Sequence, residues 1–122
     1  MSLLNNDINK LDAKDLDVTP GFLEKEGWTD AYHPIYTMYQ KQFIKNCFKV
    51  RIDIVKNPGV MGGGWEATVR YKDLMDSIDK KYKMVHMHII KTIKNYEWLM
   101  GWNIQIVLER LAERRGRMIN VR

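Results

Sequence analysis

Basic side chains on two stretches of alternating sequence are the first candidates for chemistry. Lys49 and Arg51 alternate with apolar residues in one stretch, and Arg70 and Lys72 do so in another. Because alternate residues of a strand point to the same side, the four bases should share one face of a sheet. Ammonium and guanidinium groups in such an array could bind a phosphate or an acidic protein surface.

A glycine-rich loop precedes the second stretch and could contribute to the same anion site. Gly62, Gly63 and Gly64 lead directly into Trp65. Their free backbone amides could form a phosphate nest, with Trp65 as an aromatic platform beside Arg51 and Arg70. The loop lacks the Lys-Ser/Thr pair of a Walker loop and is not followed by a helical pattern, so a plain hairpin connection is the competing interpretation.

A second basic surface depends on a predicted helix. Met87, Lys91, Lys94 and Trp98 fall within about 60° of one another at 100° per residue. An outward tryptophan among lysines could stack on a base or contact a partner. The alternative is that a neighbouring helix or another subunit covers Trp98.

No metal site or catalytic centre is predicted, and no cofactor is expected. His86 and His88 would stand about 160° apart on a helix and could not share an ion. The sequence contains no nucleophile elbow, no paired-carboxylate pattern and no Cys-His spacing typical of nucleophilic catalysis. We therefore expect a binding protein rather than an enzyme.

The elements that position these residues are predicted from hydrophobic spacing. Asp73–Gly101 carries a 4-4-3-4-4-3-4 apolar stripe without proline, which predicts a long amphipathic helix that begins at Asp73 and stops at Gly101. A second helix is predicted from Asn103, as its N-cap, to a stop at Gly116. The stripe residues of the first helix are Leu74, Ile78, Tyr82, Val85, Ile89, Ile93, Tyr96 and Met100.

The predicted fold class is α+β, with a three-stranded antiparallel sheet covered on one face by these two helices. The strands are Ile35–Phe43, the stretch that begins at Phe48 and the stretch that begins at Trp65. Short N-terminal helices precede them, one capped by Thr19, started by Pro20 and ended by Gly27. Residues 1–18 are expected to be an acidic arm or short helix, and residues 19–122 a single domain.

Charge and composition indicate the class of partner. The net charge is +5, but residues 1–30 hold seven acids and three bases, whereas residues 31–122 hold seventeen bases and eight acids. The body of the protein should therefore favour anionic partners. The single Cys47 favours a reducing compartment, and no run approaches the ~20 apolar residues that cross a bilayer, so a cytoplasmic location without membrane contact is expected.

One stretch resembles a known group of proteins. The unit Thr-Pro-x-Phe-Leu-x-x-x-Gly-Trp, which spans Thr19–Trp28 here, resembles the opening of small uncharacterised proteins encoded by phages and mobile elements of gut bacteria, and Val85-His86 is similar to their closing segment. The resemblance implies an accessory protein that acts by binding a host factor.

Two functions and one assembly state remain as hypotheses. The protein could be a counter-defence binding module that blocks a host protein or sequesters a nucleotide signal, or it could bind DNA or RNA directly. A helix of ~40 Å would exceed what a three-stranded sheet can bury, which predicts a homo-oligomer, most simply a dimer.

Overall fold

The protein folds as a five-stranded antiparallel sheet with helices on one face. The computed structural model describes residues 13–56 and 63–120, and the side chains of all of these except His86 and residues 117–120. The strands lie in chain order across the sheet. They are β1 (Thr29–Ala31), β2 (Met38–Lys45), β3 (Phe48–Lys56), β4 (Trp65–Asp73) and β5 (Lys83–Ile90); the helices are α1 (Pro20–Lys25), α2 (Ile93–Trp98) and α3 (Ile104–Asn120).

The predicted three-stranded sheet under a long helix is wrong, because β5 occupies the middle of the predicted helix Asp73–Gly101. β5 pairs antiparallel with β4 along its length, with a bulge opposite Val69 and Arg70. Residues 74–82 form a loop, in which the carboxylates of Asp73, Asp76 and Asp79 accept backbone N–H bonds from residues two or three positions later. Aspartates that could mark a helix start therefore form local turns instead.

The C-terminal helix is continuous, so the predicted division into two helices is also wrong. Thr92 caps α2 and forms a capping box with Asn95. A π-helical segment, Leu99–Asn103, joins α2 to α3. Gly101 lies inside this segment and is not among the glycines with positive φ, and α3 continues through Gly116 to Asn120. Neither predicted glycine stop ends a helix.

The predicted N-terminal helix at Pro20 is confirmed. The Thr19 hydroxyl accepts a hydrogen bond from the Phe22 amide at 3.1 Å, and Gly27 follows the helix with a φ of 90°. Ahead of it, a 3₁₀ turn covers Ala13–Asp15, and Asp17 forms an isolated bridge with Thr92. The first strand is shifted from the predicted Ile35–Phe43 to Met38–Lys45, and β1 was not predicted. Most of the predicted arm, residues 1–12, lies outside the described residues.

The core fills the space between the sheet and the helices. Alternate residues of β3 and β4 lie on this covered face of the sheet, and they pack against α1, α2, the π-helical segment and α3. The Trp28 indole donates to the Tyr96 hydroxyl at 2.8 Å inside this core. The core residues are Val18, Leu23, Trp28, Tyr39, Phe48, Val50, Ile52, Ile54, Trp65, Ala67, Val69, Ile90, Tyr96, Leu99, Ile104 and Leu108.

Candidate binding face of the sheet

The side of the sheet opposite the helices carries the predicted basic residues. Because side chains alternate along a strand, the residues between the core positions point away from the helices. We call this side the open face. From β2 to β5 it consists of Met38, Gln40, Gln42, Ile44, Lys49, Arg51, Asp53, Val55, Glu66, Thr68, Arg70, Lys72, Met84, Met87 and Ile89.

A buried carboxylate lies at the centre of the open face. Asp53 is 4% exposed, although it carries a carboxylate and lies on the side of the sheet opposite the described helices. Arg70 Nη1 donates to Asp53 Oδ2 at 2.8 Å, and Arg51 Nη2 lies 3.2 Å from the same oxygen. Gln40 Nε2 donates to Asp53 Oδ1 at 2.9 Å, and Arg51 Nε donates to that oxygen at 3.3 Å. Both carboxylate oxygens are therefore occupied by donors.

This network orients the two arginines that were predicted to bind an anion. Arg51 and Arg70 are directly opposite each other on β3 and β4, so their like charges would repel without an anion between them. Asp53 supplies that anion and reduces the net charge of the trio to +1. Each arginine side chain remains about one-third exposed, at 34% and 36%. Their outer edges are accessible to a partner, but their charge is partly neutralised.

An aromatic ring lies against the bases at one end of the open face. The Lys72 ammonium is 4.7 Å from the centroid of the Tyr82 ring, and the Arg51 guanidinium is 5.8 Å from it. Lys49 and Lys72 are directly opposite each other on β3 and β4. Cation–π contacts restrict where these side chains can point. Tyr82 thus makes part of the basic surface more rigid.

We call Lys49, Arg51, Arg70 and Lys72 the basic centre of the open face. Large apolar side chains lie beside it on the outermost strand, β5. On β5, Met84 is 63% exposed, Met87 is 55% exposed and Ile89 is 54% exposed. Ile44 on β2 is 65% exposed at the other side of the face. We call the three neighbouring side chains of Met84, Met87 and Ile89 the apolar edge. Exposed apolar patches of this kind are typical of interaction sites.

The structure separates several of the predicted site residues from the open face. Trp65 lies on the covered face and is 2% exposed, with its indole donating to the Val18 carbonyl at 2.9 Å. It therefore cannot stack on a ligand held by Arg51 and Arg70. Gly63 accepts a hydrogen bond from Lys56, Gly64 is buried, and Gly62 lies outside the described residues.

The second predicted basic surface is divided between different elements. Met87 belongs to β5 and lies on the open face, whereas Lys94 and Trp98 belong to α2 and Lys91 lies between β5 and α2. Trp98 is 47% exposed and packs edge-on against His88, with ring centroids 4.9 Å apart. The predicted cluster of all four residues on one helix is wrong, because the helix begins only at Ile93.

The predicted separation of His86 and His88 by about 160° around a helix is wrong, because both residues belong to β5. The His88 ring contacts Trp98, and the side chain of His86 is outside the description. Among the described residues, no three His, Cys, Asp or Glu side chains gather as metal ligands. Cys47 is exposed in the turn between β2 and β3.

Comparison with known proteins identifies no relative of this chain. No protein family, curated protein or solved structure matches the chain. Within residues 13–56 and 63–120, no helix has the length and apolar character needed to cross a membrane.

Proposed function

We propose that the protein is a binding module whose open face binds an acidic protein. The observation that carries this proposal is the apolar edge of Met84, Met87 and Ile89 beside the basic centre. Buried apolar anchors and charge complementarity at the periphery are the usual components of a protein–protein interface. The open face offers both on one surface.

The charge of the open face supports an acidic partner rather than a second copy of the chain. Its four cations and two anions give a net charge of +2, the anions being Asp53 and Glu66. Two copies that met through this face would bring the paired Lys49 and Lys72 of each near the other's bases. An acidic surface would instead be attracted and would bind faster at low salt.

The Asp53 network also supports a protein over a nucleotide or a nucleic acid. Phosphate recognition benefits from guanidinium groups with free, bidentate donors. Here Arg51 and Arg70 already donate to a buried carboxylate, and Trp65 is not available for stacking. The resemblance of Thr19–Trp28 to small phage and mobile-element proteins would make the partner a host protein, bound in the cytoplasm.

A capture experiment with matched variants tests the proposal. The tagged chain is used to capture proteins from a lysate of the host cell, with and without nuclease. Ile89→Asp changes the apolar edge, and Lys49→Glu changes the basic centre. Ile35→Asp is the control for the first, because Ile35 is 76% exposed and lies outside the open face; Lys25→Glu in α1 is the control for the second.

We expect one acidic protein to be captured by the wild type and by both controls, and to be reduced roughly tenfold or more by each open-face variant. Circular dichroism should show that all four variants fold. Capture that is equal in all variants, or that disappears with nuclease, would overturn the proposal. Light scattering separates the remaining case: a particle of twice 14.5 kDa that Ile89→Asp dissociates would show that the face pairs two copies.

A further inference from the structure

A cavity lies between the loop of residues 74–82 and α3, at the end of the sheet opposite the paired Lys56 and Trp65. Its volume is about 660 Å³. Cavities of roughly 300–1,000 Å³ are typical of small-molecule sites. It belongs to neither the open face nor the predicted anion site. Its wall includes Phe48, Tyr71, Met75, Ile78, Leu111 and Arg114.

The inner wall of the cavity is apolar and fixed. Phe48 is 2% exposed, and the Tyr71 ring meets it edge-on at 5.7 Å between centroids. The Arg115 guanidinium lies 3.9 Å from the Phe48 centroid. Arg115 also donates to Asp73 Oδ1 at 2.6 Å and to the Asn46 carbonyl at 2.8 Å, so its charge is already paired.

The loop that forms the outer wall is held in place without a ligand. The Leu74 amide donates to the Cys47 carbonyl at 2.9 Å, which attaches the loop to the turn between β2 and β3. Asp76 accepts from two backbone amides and Asp79 from one, and these bonds lower the pKa of each carboxyl below its ordinary value. A wall that is already ordered reduces the entropy lost on binding.

Two apolar side chains on this loop have no cover. Ile78 is 92% exposed and Met75 is 59% exposed, and both line the cavity. An apolar ligand body between them and Leu111 on α3 would remove this surface from water, at about 25 cal/mol per Å² buried. The described residues place no other side chain over Ile78.

The charge at the rim favours an anion. The lining holds four bases and three acids, and two of the acids form ion pairs: Asp73 with Arg115, and Asp79 with Lys83 at 3.3 Å. Arg114 is exposed at the rim and forms no ion pair with a described residue. Lys81 and Asp76 also line the cavity without an ion pair among the described residues, so the unpaired groups still carry a net positive charge. Of the two cations, Arg114 offers the planar pair of donors that matches a carboxylate.

We propose that this cavity binds a small organic anion with an apolar body, of the alkyl carboxylate class. The apolar chain would lie between Leu111 and Ile78, and the carboxylate would pair with Arg114. This site is independent of the proposed protein-binding function of the open face, because the two surfaces share no residue.

Titration with decanoate, kept below the concentration at which it aggregates and followed by backbone NMR shifts, tests the site. Decyltrimethylammonium, which has the same chain length and the opposite charge, is the ligand control. Arg114→Glu and Ile78→Asp are the site variants. Their matched controls are Arg110→Glu, one turn earlier on α3 and outside the cavity, and Ile35→Asp, which changes another highly exposed isoleucine elsewhere.

We expect saturable shifts at Phe48, Ile78 and Leu111 with decanoate, and at least tenfold weaker binding of the cationic analogue. Arg114→Glu should weaken decanoate binding roughly tenfold, because an exposed pair is lost and replaced by repulsion. The two control variants should bind as the wild type does. Absence of saturation at millimolar decanoate, equal binding of the cation, or equal losses in Arg114→Glu and Arg110→Glu would each overturn the proposal.

Discussion

Replacement of Asp53 is the sharpest test of how the open face is held together. The Asp53 side chain is 6% exposed, and its carboxylate accepts hydrogen bonds from Gln40, Arg51 and Arg70. A hydrogen bond to a charged group contributes about 1.5–3 kcal/mol to stability. Two arginine bonds would sum to about 3–6 kcal/mol, but each arginine is one-third exposed, and solvent screening reduces the value. We expect Asp53→Ala to lower the free energy of unfolding by about 2–4 kcal/mol.

Asp53→Asn removes the charge but keeps the volume of the side chain. It should lower the free energy of unfolding by less, about 1–2 kcal/mol, because the amide oxygen can still accept a hydrogen bond. Urea unfolding with an unchanged dependence on denaturant measures both values. In an Arg70→Met background, Asp53→Asn should lower the free energy of unfolding by at least about 0.5 kcal/mol less than it does in the wild type, because its interaction with Arg70 is already lost. If both Asp53 variants unfold within about 0.5 kcal/mol of the wild type, the carboxylate does not hold the arginines and the reasoning fails.

The same substitution should change what the open face binds. Removing the Asp53 charge raises the net charge of the face from +2 to +3 and releases donors of Arg51 and Arg70. We expect Asp53→Asn to bind inorganic tripolyphosphate several-fold more tightly than the wild type, with a stronger dependence on salt. Calorimetric titration at two salt concentrations measures this; equal affinities would show that the two arginines are not restrained by Asp53.

Other predictions concern the contacts that join the helices to the sheet. Arg115→Met should lower the free energy of unfolding by about 2 kcal/mol, because an ion pair and two bonds to turn carbonyls are lost, whereas Arg110→Met should stay within about 0.5 kcal/mol in the same urea assay. Tyr96→Phe should cost about 1–3 kcal/mol, since the buried Trp28 N–H loses its acceptor. Burial is the main cause of a raised pKa at both Tyr96 and Tyr39. The unfolded chain therefore releases these phenolic protons first, so the free energy of unfolding should fall as pH rises above about 10, and it should fall less steeply in Tyr96→Phe; equal slopes for variant and wild type would contradict this.

The central hairpin of the fold could be predicted from the sequence because its signal is local. Phe48, Val50, Ile52 and Ile54 are all buried, and the residues between them lie on the open face. Alternation over so many positions allows only one face to be buried. The helix at Pro20 followed similarly from the cap at Thr19, whose hydroxyl makes the expected bond.

The long helix was predicted wrongly because a 3.6-residue stripe can also arise from a loop followed by a strand. Leu74 and Ile78, the first two stripe residues, are exposed at 47% and 92%. Two observations in the sequence favoured the alternative: aspartates at every third position, which form local turns, and the β-branched residues around Ile89 and Ile90. Pairing with the exposed edge of β4 then outweighs helix propensity, and this pairing cannot be read from local spacing.

The position of β5 changes the chemistry of the open face more than it changes the fold class. On a helix, Met87 would belong with the lysines and Trp98, and Ile89 would be buried in the core stripe. On a strand beside β4, Met87 lies opposite Thr68 and Ile89 lies opposite Glu66, while Met84 lies opposite Arg70. All three side chains are on the face that the described helices leave uncovered. The predicted bases were therefore on the correct face, but Asp53, also part of the alternating stretch, was missed as their counter-ion. A basic centre neutralised by one carboxylate and bordered by apolar side chains is better suited to a protein surface than to a phosphate, and that distinction depends on the position of one strand.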